Sequence, residues 1–558
     1  MRPLKTLPLA LILGAIPLPA AAQQPPSLTE VVDKIVAQEQ VEAQSFRQYS
    51  PIVETYIQTL RVSKGQGAVP SGDKYYLGRA ELAKGVELEP LLNGTHSKHG
   101  MFGGLGTIFS MEFLPRGFLQ MIYVDPNGLD RQHYKFDYAG REFLGDVRCL
   151  IFDVDPIGKV EKGRFVGRIW VEDQNYHIVR FNGGYSGKSK TSYYFNFDSW
   201  RTNTGKNQWL PSFIYSEEVD NVTMPAFRAQ TRLWGYAPTQ VREEQELSKV
   251  LVETSKPVTD QSEVSDDYSP LEAKRAWGRQ AEDNVAAKLE KLGLMAPSGD
   301  VDKVLETVIN NLEVTNDLDI QPEVRCRILM TSTLESFTIG HTIVLSRGLV
   351  DVLPDEASLA AILSHELGHV VLGYRMGTQY AFFNRLRFDE KETFHHFGFT
   401  PTPEEEHAAT LKGDELLQNS PYKDNLGNAK LFLQALNERS KEIPNLVSPH
   451  LGHRVTTSVA NTSAGQADQT SPAKAAGNAI AALPLGGRIK IEPWNNQLQL
   501  LKSKPIGKVA PGEVTPFELT PFVLYLTRQK DPSASEAAGA GAIAVKSNTE
   551  TSIPDIKP

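Results

Sequence analysis

Apolar positions change their spacing several times along this chain, and each change predicts a different element. From Ser27-Leu28-Thr29-Glu30 through Val31, Ile35 and Val41 to Tyr56 and Leu60, the pattern predicts a helix over residues 28 to about 62. From there to about residue 255, short runs rich in Val, Ile, Phe, Tyr and Trp are separated by Gly, Asn and Asp. Phe118–Val124, Gly167–Glu172, Ser192–Phe197 and Trp209–Tyr215 are examples. Runs of this kind predict an antiparallel sheet or partly closed barrel, so residues 28–255 read as a β-rich domain with an N-terminal helix.

Residues 256–300 are a polar, acidic linker followed by a charged helix from Leu271 to Leu294. In the next unit, 301–455, Pro354-Asp355-Glu356 is a helix start with acidic groups at the positive end of the dipole. Leu359, Ala360, Ile362, Leu363, Leu367, Val370, Val371 and Leu372 then fall on nearly every face, which predicts a buried helix. Fresh helices are expected after Pro401-Thr402-Pro403 and from Asn428 to Leu436. Residues 456–482 lack large apolar side chains and read as a flexible connector. A small β unit is expected at 483–528, with Phe522–Leu526 strand-like, before a low-complexity tail at 529–558. The class is multidomain α+β.

The N-terminus changes the picture of where the chain works. Arg2 and Lys5, an apolar run from Leu7 to Leu18, and Ala20-Ala21-Ala22 make residues 1–22 a cleavable signal peptide. No later run approaches a membrane span, so a periplasmic or secreted protein is expected, without an integral membrane segment. A net charge of −9 argues against nucleic acid as a partner. Cys149 and Cys326, far apart in sequence, are expected free and buried rather than bridged.

Within the buried helix, the polar exceptions are Ser364, His365, Glu366 and His369. His365-Glu366-Leu367-Gly368-His369 fits H-E-x-x-H, in which two imidazoles on one helix face reach a zinc ion beside a carboxylate base. Catalytic zinc takes three protein ligands and keeps one position open. Arg375 rules out a third histidine six residues after His369. Glu390 and Glu392 lie in a charged run typical of a solvated face, whereas Glu406 opens a helix and is the better candidate. His395 and His396 read as loop residues, and His407 points about a hundred degrees away from Glu406.

The segment Glu406-His407-Ala408-Ala409-Thr410-Leu411-Lys412-Gly413, following the H-E-x-x-H helix, resembles the M48 zinc peptidases. That resemblance spans roughly residues 300–455 and implies a mainly helical, zincin-type metallopeptidase domain. Carried over, Glu406 is the third metal ligand, Ala409 the family's alanine and Gly413 a recurrent small residue. Thr410 stands where the family has an aspartate that supports a ligand histidine; losing such a partner commonly costs about 10- to 100-fold in metal affinity or activity. Glu335–Val350 resembles the family's strand before the active-site helix, where an extended substrate can add by backbone pairing. His450 and His453 resemble a late histidine segment near the cleft. In the implied chemistry, Zn2+ on His365, His369 and Glu406 brings the pKa of its water towards roughly 7, and Glu366 is the general base.

Gly163–Asp173 through Ile178-Val179-Arg180 resembles the curved sheet of outer-membrane lipoprotein-sorting proteins. This implies an open half-barrel able to cradle an apolar or envelope-protein client. The expected function is an exported zinc endopeptidase of the gluzincin type, acting on polypeptides in envelope quality control. The competing expectation is an exported chaperone-like or apolar-ligand binding protein whose zinc site is structural or weakly active.

Overall fold

Helix α1 (Leu28–Ser45) begins at a capping box: Glu30 N donates to Ser27 Oγ, and Ser27 N to Glu30 Oε2. It stops well before residue 62. A 3₁₀ turn (Phe46–Gln48) and Pro51 lead into strand β1 (Ile52–Ser63). Proline disfavours helix in the residue before it, and Ile52, Val53, Thr55, Ile57 and Thr59 are β-branched. The helical spacing of the first half therefore does not carry across Pro51.

In the computed structural model, residues 27–63, 67–83, 86–91, 115–158, 163–186, 195–205, 207–218, 226–236, 269–373, 399–455, 482–486, 488–501 and 516–529 are described. The expected signal peptide, most of the 256–270 linker, the 456–481 connector, the tail after Gln529, and Glu390, Glu392, His395 and His396 lie outside them. The architecture is α+β. Strand β1 joins β2 (Gly67–Glu81), β3 (Glu87–Pro90), β4 (Tyr134–Leu144), β5 (Val147–Pro156), β6 (Phe165–Glu172), β7 (Ile178–Tyr185), β8 (Phe197–Gly205), β9 (Gln208–Glu218) and β10 (Phe227–Trp234). They form one ten-stranded antiparallel sheet in the order β3-β2-β1-β10-β9-β8-β7-β6-β5-β4. Its edges, β3 and β4, do not meet, so the sheet is open and half-barrel-like.

Phe118–Val124, expected as a strand, is instead the end of α2 (Pro115–Leu119) and a 3₁₀ turn at Gln120–Ile122. Phe118, Leu119, Met121, Ile122 and Val124 are all buried. That run lacks the period-2 alternation of a strand with one wet face. Ser192–Phe197 contributes only its last residue to β8, and positions 192–194 lie outside the described residues.

One face of the sheet is filled by α1, whose Val31, Val32 and Ile35 share a cluster with Val53, Ile57, Ile169, Phe181 and Phe227. Arg201, fully buried, fastens the helix through Glu39 (2.6 and 2.8 Å) and Glu42 (2.9 Å). On the other face, Ile52, Tyr56, Tyr75 and Leu77 join the core of the helical unit. Strand β1 thus alternates between two cores, residue by residue.

The helical unit contains α3 (Pro270–Lys291), α4 (Asp300–Thr315), α5 (Arg347–Val352), α6 (Glu356–Val371), α7 (Pro403–Gln418), α8 (Gly427–Arg439) and α9 (Pro444–Val447). A small sheet adds β11 (Arg325–Leu329), β12 (Glu335–Ile339), β13 (Thr342–Ser346) and β14 (His453–Arg454), in the order β11-β13-β12-β14. Glu335–Val350 is therefore no single strand. It is a hairpin turning at Gly340 (φ +63°), followed by a short helix. At Glu335 and Ser336, the free edge of β12 is taken by the chain's own β14.

Glu54 ties the sheet to the helical unit. Its carboxylate accepts from Tyr75 Oη (2.8 Å), Ser332 N (2.5 Å), Ser332 Oγ (2.7 Å) and Arg347 Nη2 (3.0 Å), all buried. Asp73 accepts from the backbone of Asn445 and Leu446 at 3.0 and 2.9 Å.

Strands β15 (Ile489–Ile491) and β16 (Leu498–Leu500) form a hairpin. Residues 516–529, including the expected strand at 522–526, form no strand. They run as a strap over the outer face of the large sheet, held by side chains bonding its backbone: Gln58 Nε2 to Phe517 O (2.7 Å), Gln230 Nε2 to Thr520 O (2.8 Å) and Gln529 N to Asn203 Oδ1 (2.7 Å). The β ladders below are already complete, so the strap has no free edge to join. Among the described residues, no helix is long and apolar enough to cross a membrane.

Because Arg347 is buried with Glu54 as its closest ion-pair partner, Glu54→Ala should destabilise the protein by about 3 kcal/mol in urea unfolding. Removing the exposed Lys303–Asp300 pair should change it by less than about 0.5 kcal/mol.

Candidate metal centre

Helix α6 starts at Asp355, whose carboxylate accepts from Ser358 N at 2.8 Å. From Ala357 to Val370 nearly every residue is buried, as the apolar residues on all faces require. His365, Glu366 and His369 are 6%, 0% and 3% exposed, so three polar side chains sit in an apolar helix. Such burial is costly unless the groups meet partners of complementary chemistry.

The partner comes from α7. Thr402 and Glu405 form its capping box, with Thr402 N donating to Glu405 Oε2 at 2.8 Å. The acidic run is therefore divided: Glu404 is exposed, Glu405 caps, and Glu406 turns towards α6. Its two oxygens lie 3.3 Å from His365 Nε2 and 3.4 Å from His369 Nε2. The imidazole rings stand nearly perpendicular with centroids 5.0 Å apart. One donor atom from each of His365, His369 and Glu406 falls within a mutual 4.8 Å. Two imidazole nitrogens and a carboxylate in this arrangement fit a zinc ion.

The approach depends on small residues. A Cβ on Gly368 would stand 2.5 Å from Ala409 O, and one on Gly413 would stand 2.8 Å from His365 Cα and Ser364 O. The two helix backbones therefore touch at Gly368, Ala409 and Gly413, and that contact brings Glu406 to the histidines.

Thr410 is buried, and its hydroxyl donates to Glu406 O at 2.8 Å. It serves the helix backbone one turn back, rather than accepting from a histidine. Asp414, one turn further on, is not singled out by the motif. Burial raises its pKa, and the His365 charge acts against that shift. Its signal in the sequence is helical spacing, since i and i+4 from Thr410 share one face. His407 is exposed, as expected. His450 stacks on Tyr75 (5.0 Å, 21°) while its backbone N donates to Glu335 at 3.0 Å, so it lies against strand β2. His453 contributes backbone pairing to β12. Cys149 and Cys326 are free and buried, and burial pushes the Cys149 thiol up to about 12.

Residues 296–383 match the model of Peptidase family M48. The match includes His365, Glu366 and His369 and ends before Glu406. Over that segment the chain is similar to a metallopeptidase family. No curated protein matches the chain. Among solved structures, the chain is similar to a putative outer membrane lipoprotein-sorting protein domain from Vibrio parahaemolyticus, at 10% identity and a TM-score of 0.19, over 39% of this chain and 95% of that one. The peptidase resemblance read from the sequence thus recurs in the family model.

Gly413→Ala should force α6 and α7 apart. We expect at least roughly tenfold weaker zinc binding in a chelator competition and a loss of about 1–3 kcal/mol in urea. The same change at Gly278, where a Cβ meets nothing within 4 Å, should stabilise α3 by about 0.5–1 kcal/mol and leave zinc binding untouched.

Proposed function

We propose that this chain is an exported, zinc-dependent endopeptidase of the gluzincin type that hydrolyses polypeptides, with a role in envelope protein quality control. The observation that carries the reading is the convergence of His365, His369 and Glu406 next to the fully buried Glu366. A structural metal site needs ligands but no base, so a carboxylate at that position favours catalysis.

In this reading, His365 and His369 hold the metal through Nε2, and Glu406 completes the protein ligands from the neighbouring helix. Zinc, when bound, acts as a Lewis acid that acidifies water and polarises the scissile carbonyl. Glu366 accepts the proton of the attacking water on a carboxylate oxygen and delivers it to the departing amine nitrogen. Its burial keeps competing solvent from that carboxylate and strengthens its electrostatic interactions. The apolar helix α6, locked at both faces, fixes the geometry before substrate arrives.

A second reading, an exported binding protein with a structural or weakly active zinc site, is favoured by one observation. Thr410 occupies the position of a supporting aspartate and spends its hydroxyl on the backbone. A client on the open sheet belongs to this reading as well.

Metal content and cleavage of an unfolded protein, measured on the mature chain and on Glu366→Gln, separate the two. We expect about one zinc per chain in both, with cleavage falling by at least roughly 100-fold in Glu366→Gln. Stoichiometric zinc with no cleavage by either protein would sink the peptidase reading and leave the binding protein.

A further inference from the structure

On the outer face of the large sheet, the strap and the β15–β16 hairpin enclose a cleft over β8, β9 and β10. It encloses about 80 Å³ of space for water-sized groups, and beyond that the cleft opens to solvent along its apolar wall. Its walls are largely apolar, built from Phe213, Trp234, Ile491, Phe522, Leu524 and Leu526. The chain carries a net charge of −9, yet among the described residues this lining holds two cations, Arg232 and Lys490, and no Asp or Glu.

Half-buried Arg232 differs from three arginines of the interior. Arg164 pairs with Asp125, Arg201 with Glu39 and Glu42, and Arg347 with Glu54. Arg232 has no hydrogen-bond or ion-pair partner among the described residues, and its Nε is fully enclosed. The acid directly across the strands from it is Glu54, but that carboxylate is committed to Tyr75, Ser332 and Arg347. The guanidinium is held over the Phe213 ring, 5.4 Å from its centroid. Burial first, then the Arg347 charge, push it down to about 9, with Asp351 and Glu54 acting the other way. A half-buried cation with an enclosed Nε and no anionic partner among the described residues is suited to receive an anion.

We propose that this cleft binds a single-chain aliphatic carboxylate of the fatty-acid class, with its headgroup on Arg232 and its tail along the aromatic and aliphatic wall. Lys490, beside Tyr525 on the rim, adds a second positive charge. A peptide is the poorer occupant. Strands β8, β9 and β10 are all interior to the sheet, so they offer no free backbone edge for an extended chain to pair with. An alkyl tail needs none. The site lies on the face opposite α1 and is independent of the peptidase reading.

The test is calorimetric titration of the full mature chain with dodecanoate below its micellar concentration, beside dodecyltrimethylammonium and a short peptide ending in a free leucine carboxylate. We expect saturable one-to-one binding of dodecanoate and at least roughly tenfold weaker binding of the cationic amphiphile. Arg232→Met should weaken dodecanoate binding at least roughly tenfold with zinc content unchanged. Leu524→Trp, which fills the cleft from the strap, should abolish binding while leaving the arginine in place. Should Arg232→Met fail to fold, Leu524→Trp and Lys490→Gln decide. Equal binding of both headgroups, unchanged binding in the variants, or no saturation would overturn the proposal. Tighter binding of the peptide would overturn it in favour of C-terminal recognition.

Discussion

The contact between the backbones of α6 and α7 is the constraint on which the candidate site rests. An H-E-x-x-H helix can present two imidazoles and a carboxylate unaided, but a third ligand must come from elsewhere and arrive within a few ångströms. Gly368, Ala409 and Gly413 make that possible by leaving no side chain between the helices. The close approach also explains why α6 is buried on almost every side. A wider crossing would leave three polar groups in an apolar helix with too little to answer them.

A second constraint operates at the scale of the whole molecule. Strand β1 is buried on both faces, sending Val53 and Ile57 towards α1 and Ile52 and Tyr56 towards the helical unit. Glu54 lies among the latter set, and its four hydrogen bonds turn an apolar contact into one of defined register. The strap and the hairpin then cover more of the same outer face. The sheet is thus a shared wall: one side holds α1, the other holds the helical unit and the C-terminal residues.

Charge is handled differently from place to place in the interior. Arg201 and Arg347 are surrounded by carboxylates and hold elements together. In the metal centre, by contrast, the polar groups converge on one point, and in the outer cleft Arg232 faces an apolar space without a counter-ion. Satisfied pairs fasten a fold, whereas convergent or unmatched groups are where a ligand contributes most.

Much of this was legible in the residues. Short runs rich in Val, Ile, Phe, Tyr and Trp between turn residues marked the large sheet, and helix-start residues marked the beginnings of α1, α6 and α7. His365, Glu366 and His369 announced metal chemistry by spacing alone, because an i, i+4 pair on a helix must share a face. Glu406 could be nominated as the opening of a helix, though nothing local said how near that helix would come. Local patterning failed where a short-range signal met a long-range partner. Residues 52–62 read as helix until β2 and β10 supplied their hydrogen bonds, Phe118–Val124 read as strand although its apolar residues pack into the core from a helical turn, and 522–526 found no free edge to join. Thr410 had the chemistry to support a histidine, but its own helix took the hydroxyl. By itself the sequence determined the kinds of element and the identity of the chemical groups, since periodicity, caps and donor types are properties of neighbouring residues. Only the tertiary structure decided the approach of Glu406, the fate of Glu54 and the isolation of Arg232, because each depends on backbones that meet across long separations in the chain.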